Sequence, residues 1–291
     1  MRYEGSLYRP PSEAYSYILQ VTIGCSHNRC TFCNMYMEKQ FRVRPLDDVL
    51  EDLVMARRAY RKVQRIFLAD GDALIVKTSE LRAILGTIKN LFPECERVTS
   101  YASARDLLLK TPEELEELHT LGLDMIYLGL ESGSEKVLKD INKGVTVEET
   151  VEGALKAKAA GIKLSVTEIT GLAGQDGMEE HALLSARALS RMNPEYIGLM
   201  TLTLRRGTKM TADWEAGRFK RLTPRQYLEE QRILIANLDS EGSVLRSNHI
   251  SNYVQLRGTM NRDRDRMLAA LDGALQDPEL DNPYIEYLEN L

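Results

Sequence analysis

The sequence predicts an α/β fold, a partial (β/α)6 barrel of the TIM type followed by a C-terminal, mainly helical closing segment, and three observations predict it. Strand-like and helix-like stretches alternate from about residue 16 to about residue 205, the rhythm of βα units on a parallel sheet. The apolar residues between the strands are spaced as on helix faces. Helix starts are marked by capping residues, independently of that spacing. Six such units read as an open or partial barrel, with a doubly wound open sheet as the competing arrangement, and in both the active site lies at the carboxyl ends of the strands.

The expected strands, in order, are Ser16–Thr22, Arg65–Ala69, Arg97–Tyr101, Met125–Leu130, Lys163–Ile169 and Tyr196–Leu204. Leu46, Val49, Leu50, Leu53 and Val54 form one helical stripe, and Leu81, Ile84, Leu85 and Ile88 another. Thr111-Pro112-Glu113-Glu114 and Thr223-Pro224-Arg225-Gln226 each place a cap, a proline at the first helical position and a capping-box acceptor; Thr146 with Glu149 repeats the box without proline. After about residue 210 the rhythm changes to a charged stretch from Lys209 to Arg225, a helix to about Leu238, a polar segment Ser247–Gln255 and a final helix from about Arg262. Residues 1–210 are therefore expected to form the core and 211–291 a closing lid too short to build much core alone.

With 291 residues, 43% apolar and 28% charged, the chain can bury a full core, which excludes disordered and fibrous classes. Its 38 basic and 43 acidic residues give a net charge of -5, which argues against a footprint for bulk nucleic-acid binding. Apolar runs are strand-sized, and no continuous apolar region follows Met1-Arg2-Tyr3-Glu4-Gly5. A soluble cytoplasmic protein with no membrane partner is expected.

Cys25, Cys30 and Cys33 stand directly after the first strand in the spacing C-x4-C-x2-C. Three thiolates on one loop at the mouth of a sheet can hold three corners of an iron–sulfur cluster and leave one iron open. Two other readings compete. His27 could complete a zinc site of three cysteines and one histidine, although such sites usually draw on two separated knuckles. Cys95 could complete a ferredoxin-type [2Fe–2S] centre, for which the spacing is right. Against that reading, Cys95 lies in a helix-to-strand connection, at the amino face of a parallel barrel, and a half-buried or surface thiol is expected there.

The chain at this point resembles the radical S-adenosylmethionine (SAM) superfamily, whose members carry three cysteines, usually C-x3-C-x2-C, after the first strand of a (β/α)6 partial barrel. Phe32 matches the aromatic residue before the third cysteine, and one extra residue separates the first two. The resemblance runs from about residue 15 to about residue 210 and includes the oxygen-independent coproporphyrinogen oxidases and the Elp3-like core. It implies a [4Fe–4S] cluster on Cys25, Cys30 and Cys33, and SAM as the second cofactor. It also implies an electron from a flavodoxin- or ferredoxin-type reductant, and a 5′-deoxyadenosyl radical that takes hydrogen from a small-molecule substrate.

The same resemblance assigns the strand ends. Asp70, Gly71 and Asp72 stand where the family receives the SAM amino group, with either aspartate as acceptor; as a plain sequence, Asp-Gly-Asp is also an ordinary turn. Glu131, in Gly129-Leu130-Glu131-Ser132, faces the methionine or ribose part, the alternative being a helix-capping or salt-bridged carboxylate, with Ser103 and Arg105 as further polar and carboxylate contacts. Glu168 either points into the barrel mouth as a ligand or a ribose contact to the cofactor, or pairs with a neighbouring Lys or Arg. Met200 and Thr201 supply backbone contacts to adenine. On the substrate side, Arg205 leads a cationic run that could bind an anionic substrate. His249 and Tyr253, in Ser247-Asn248-His249-Ile250-Ser251-Asn252-Tyr253, are expected as proton donor or radical relay, the alternative being a polar turn. His119 and His181 are expected as surface histidines. No cysteine follows Cys95, which counts against auxiliary clusters.

Overall fold

The computed structural model describes residues 2–281, so the last ten residues of the expected closing segment lie outside the described residues. In chain order its strands and α-helices are β1 (Tyr17–Gln20), β2 (Thr22–Ile23), β3 (Arg42–Val43), α1 (Leu46–Ala59), β4 (Arg65–Ala69), α2 (Thr78–Leu91), β5 (Arg97–Ala102), α3 (Ala104–Leu109), α4 (Pro112–Thr120), β6 (Leu123–Glu131), α5 (Glu135–Asp140), α6 (Val147–Ala159), β7 (Lys163–Thr170), α7 (Met178–Met192), β8 (Tyr196–Thr201), α8 (Lys209–Glu215), α9 (Pro224–Asn237), β9 (Val244–Arg246), β10 (Arg257–Thr259) and α10 (Arg264–Leu275). Eight strands form one sheet in the order β1-β4-β5-β6-β7-β8-β9-β10. The α/β class and the mostly parallel sheet are those the sequence predicts. β9 and β10 were not expected; at three residues each they are too short to raise a strand signal.

The chain divides into two compact units. The first holds the chain up to Arg29, Cys33–Gly129 and Glu148–Ser165. Its middle strand β4 is buried from Ile66 to Ala69, as a parallel strand covered on both faces must be. Val49 and Leu53 of α1, with Ala56, and Leu81, Ile84, Leu85 and Ile88 of α2 face inward as expected, whereas Val54 of the first expected stripe is exposed. Another cluster joins Phe67, Ala69, Met125 and Tyr127 with Ile18 and Tyr101, and the Phe67 and Tyr101 rings meet edge to face at 5.0 Å. The Thr111 capping box at the start of α4 is present as expected.

Among the described residues the second unit holds Cys30–Phe32, Leu130–Val147 and the chain from Val166. Its core is Val137, Leu138, Ile141, Ile169, Leu172, Leu202, Met210, Leu222 and Tyr227. Helix α9 begins at the expected Thr223 box, with Gln226 answering the cap. β9 pairs parallel to β8 and antiparallel to β10.

Candidate active site

In the first unit the chain leaves β2 at Ile23 and enters the cysteine loop through Gly24, whose φ of 77° suits glycine. Asp70, fully buried just past β4, ties down that entry. Its Oδ2 accepts hydrogen bonds from the Gly24 N–H at 3.0 Å, Gln20 Nε2 at 3.0 Å and Lys39 Nζ at 2.7 Å. Lys39 is itself buried, so this is a desolvated ion pair with added hydrogen bonds. The other oxygen, Oδ1, is buried with no hydrogen-bond partner. Asp72 accepts a hydrogen bond from the Ser26 hydroxyl. Both aspartates of the Asp-Gly-Asp turn therefore brace the residues flanking Cys25.

Gly71 is needed for closeness: a Cβ there would stand 2.5 Å from the Tyr36 ring. The Tyr36 hydroxyl is buried and unpartnered. Burial above all, then the charges of Asp70, Tyr101, Cys25 and Cys33, push it well above the usual phenol range. Tyr36 and Lys39 lie within six residues of Cys33 but were not singled out from the sequence. Their signal was only position, directly after the third cysteine.

Ser103 caps α3: its hydroxyl accepts from the Asp106 N–H, and the Asp106 carboxylate accepts from the Ser103 N–H at 2.9 Å. Burial and the facing Asp72 carboxylate hold the Asp106 carboxyl well above the usual range. Arg105 is exposed on the first turn of α3. Cys95 lies between α2 and β5, half-buried, with its thiol bonded to the Arg97 carbonyl and pushed up chiefly by burial. It precedes β5, whereas Cys25 follows β1 and β2, and β1, β4 and β5 run parallel. At about 3.3 Å per residue, the length of a strand separates Cys95 from the cysteine loop.

In the second unit the middle of the cysteine loop is anchored by its backbone. Thr31 donates to the Ile141 carbonyl and accepts from Met210, each at 2.9 Å, and Phe32 packs on the core cluster. Glu131 ends β6 with φ of 60°, a conformation unfavourable for a residue with a Cβ, and pairs with Lys143 at 2.8 Å. At the end of β8 the polar segment around His249 is hydrogen-bonded in place. The Thr201 N–H donates to Ser251 Oγ, the Thr201 hydroxyl to Asn252 Oδ1 at 2.8 Å, and Asn252 Nδ2 to the Leu199 carbonyl at 2.8 Å. His249 Nδ1 meets Ser251 Oγ at 2.8 Å, and burial, then the Arg205 charge, lowers its pKa. Met200 packs on the core cluster. Tyr253 stacks on Tyr227 with centroids 5.7 Å apart.

The expected cationic run is largely paired. Lys209 and Arg218 meet Asp213, Lys220 meets Asp176 and Arg225 meets Asp281, while Arg205 is exposed. Glu168 pairs with neither Lys nor Arg among the described residues; its neighbours are Thr170, His181 and Glu230. His181 corrects the sequence reading: it is not a surface histidine but 1% exposed. It sits on the buried stripe of α7 with Ser185, Ala188 and Met192, and that spacing was the signal that could have found it. Glu230 likewise stands among the buried residues of α9. His119 is half-buried, with Nδ1 near the Leu123 carbonyl.

Residues 19–185 match the model of the radical SAM superfamily, more than half of the chain. The chain belongs to the radical SAM superfamily. Enzymes of this superfamily use a [4Fe–4S] cluster and SAM. The chain is 26% identical over 203 residues to the 4′-phospho-dehydrooxetanocin synthase of Priestia megaterium, covering 63% of this chain and 27% of that protein. It is 30% identical over 153 residues to a putative methylthiotransferase of Methanocaldococcus jannaschii, covering 49% and 32%. The chain thus spans about a third or less of the length of these two relatives. Among solved structures, the coproporphyrinogen III oxidase of Escherichia coli, itself a radical SAM enzyme, superposes with a TM-score of 0.59 at 16% identity over 76% of this chain and 51% of that one. Methylornithine synthase superposes with a TM-score of 0.54 at 15% identity over 94% and 80%. These likenesses place the fold in the partial-barrel class of the superfamily. No helix among the described residues is long and apolar enough to cross a membrane.

Proposed function

We propose that the protein is a radical SAM enzyme that holds a [4Fe–4S] cluster on Cys25, Cys30 and Cys33, cleaves SAM reductively and acts on an anionic small molecule. One observation carries the reading: the three thiols stand on one half-buried loop, outside any disulfide, whose entry is fixed by buried aspartates at the end of β4. The residues fit the cofactors. Thiolates are the donors such clusters take, and the orphaned Asp70 Oδ1 is an acceptor suited to a charged amino group. When bound, the cluster and SAM supply an electron and a 5′-deoxyadenosyl radical.

The chain's own residues bind and orient. Asp70 already uses Oδ2 on Lys39 and the loop and Asp72 uses Oδ2 on Ser26, and the Oδ1 of each is buried without a hydrogen-bond partner, so either can accept the methionine amino group, while Gly71 between them leaves room for the Tyr36 ring. Glu131, held in its strained conformation, is assigned the methionine or ribose part, beside contacts from Ser103, Arg105 and Phe32. Met200 and Thr201 at the end of β8 are assigned to adenine. His249, whose pKa burial and then Arg205 lower, and Tyr253 are assigned proton or hydrogen transfer, with Arg205 facing the substrate's negative charge. The electron is assigned to a flavodoxin- or ferredoxin-type donor.

The test is anaerobic reconstitution of the full chain. Cys30→Ser is expected to lose most cluster iron and to make no 5′-deoxyadenosine from SAM after dithionite reduction, whereas Cys95→Ser keeps both. Equal loss from the two substitutions overturns the assignment.

A further inference from the structure

On β7, Leu164, Val166 and Glu168 are fully buried and alternate with the half-buried Ser165 and Thr167. Glu168 thus occupies a core position of the strand. It meets two residues from later helices. His181 of α7 places Nδ1 3.9 Å from Glu168 Oε1, and Glu230 of α9 places Oε1 2.5 Å from the same Nδ1. One donor atom from each of the three lies within 4.8 Å of the other two, and the side chains of all three are 0% exposed.

Two features single this cluster out. Glu168 Oε1 and Glu230 Oε2 are buried with no hydrogen-bond partner, and among the described residues no lysine or arginine pairs with either acid. Leaving two carboxylates in a dry interior with only the His181 imidazole between them costs several kcal/mol per ion. A proton on Glu168 neutralises one acid. A divalent ion neutralises both, takes Glu168 Oε1 and the imidazole as donors, and leaves the set at zero net charge. One imidazole and two carboxylates are donors that zinc and related divalent transition ions accept, whereas calcium asks for six to eight oxygens.

We propose that Glu168, His181 and Glu230 form a structural site for a divalent transition-metal ion, zinc or one of its first-row neighbours, clamping β7 to α7 and α9. The clamp reaches the turn after β7, because Glu230 Oε1 also accepts the Gly171 N–H at 3.1 Å. Gly171 has φ of 95°, and a Cβ on it would lie 2.3 Å from the ring of Tyr227, also on α9. The turn is therefore tied to α9 by a hydrogen bond and by close packing, and the ion fixes the carboxylate that makes the bond. The site uses no thiol and does not rest on the radical chemistry proposed above.

The experiment takes the full chain, purified anaerobically, equilibrates it with zinc, removes the excess and measures metal content together with zinc-edge X-ray absorption. The expected result is about one retained zinc per chain with nitrogen and oxygen donors at ~2.0–2.2 Å, one of them an imidazole. Glu168→Gln, which keeps the shape of the side chain, should lower retained zinc at least ~10-fold. Zinc retention unchanged by Glu168→Gln, or no retained zinc, overturns the site. Should Glu168→Gln fail to fold, the wild-type protein decides: an imidazole-containing shell with a Tm raised by zinc supports it, and a Tm indifferent to zinc overturns it.

Discussion

Asp70 and Glu168 are both fully buried carboxylates at the carboxyl-terminal part of a parallel strand, one in each compact unit, and they are neutralised in opposite ways. Asp70 has Lys39 at 2.7 Å and two further donors on the same oxygen. Glu168 has a hydroxyl, an imidazole and a second acid. The contrast teaches that a buried acid must be judged by what faces it. The first is an ion pair that positions a loop; the second is a cluster short of positive charge.

Removing the cation from the first site should have the largest effect on stability. Lys39→Met leaves Asp70 buried without its charge partner and is expected to cost ~3–5 kcal/mol, read as a shift of the urea midpoint. Lys39→Met combined with Asp70→Asn should recover much of that loss, since neither charge then remains. If the double variant is as unstable as the sum of the singles, the pair is not coupled and the contrast with Glu168 fails.

Acidity probes the second site. Burial, reinforced by the Glu230 charge, raises the Glu168 pKa well above its ordinary value of 4.5. In chelator-treated protein the folded state therefore keeps a proton that the unfolded chain releases. The stability this proton confers is complete below about pH 4.5 and is lost as pH rises toward the folded pKa, at up to ~1.4 kcal/mol per pH unit. Asp106, raised by burial and Asp72, adds a slope of the same sign from the first unit. Glu168→Gln should remove one of the two contributions and leave a shallower decline. Identical slopes in the two proteins would show that Glu168 folds ionised.

The contrast also explains what could be read from the sequence. Asp70, Gly71 and Asp72 are contiguous and follow an apolar strand, so the sequence alone places them at a strand end. The Thr111 and Thr223 caps were equally local, and all six expected strands are present, with ends within a few residues of those read from the pattern. Glu168, His181 and Glu230 are spread over more than sixty residues, and only the packing of α7 and α9 brings them together. The buried stripe of α7 would have exposed His181 as a core residue, but its partners depend on crossings that periodicity does not encode. Lys39 was hidden for a related reason: it lies in an irregular loop with no period, and its burial follows from Asp70, 31 residues away. The short strands β9 and β10 were lost because three residues cannot outweigh the polar segment between them.

The smallest effect separates structure from cofactor binding at Ser103, the assigned contact whose local role is already visible. Its hydroxyl caps α3 in the first unit, as the Thr223 hydroxyl caps α9 in the second. Replacing either by alanine should cost about 1 kcal/mol of stability, with serine at position 223 restoring most of the loss. The caps differ in the answering side chain, since the Asp106 carboxyl is raised and faces Asp72 whereas Gln226 is neutral. The cost of Ser103→Ala should therefore vary with pH and that of Thr223→Ala should not. A Ser103→Ala protein of unchanged stability but weakened SAM affinity would transfer the hydroxyl from the helix to the cofactor, because one oxygen accepting the Asp106 N–H is then not what holds α3 in place.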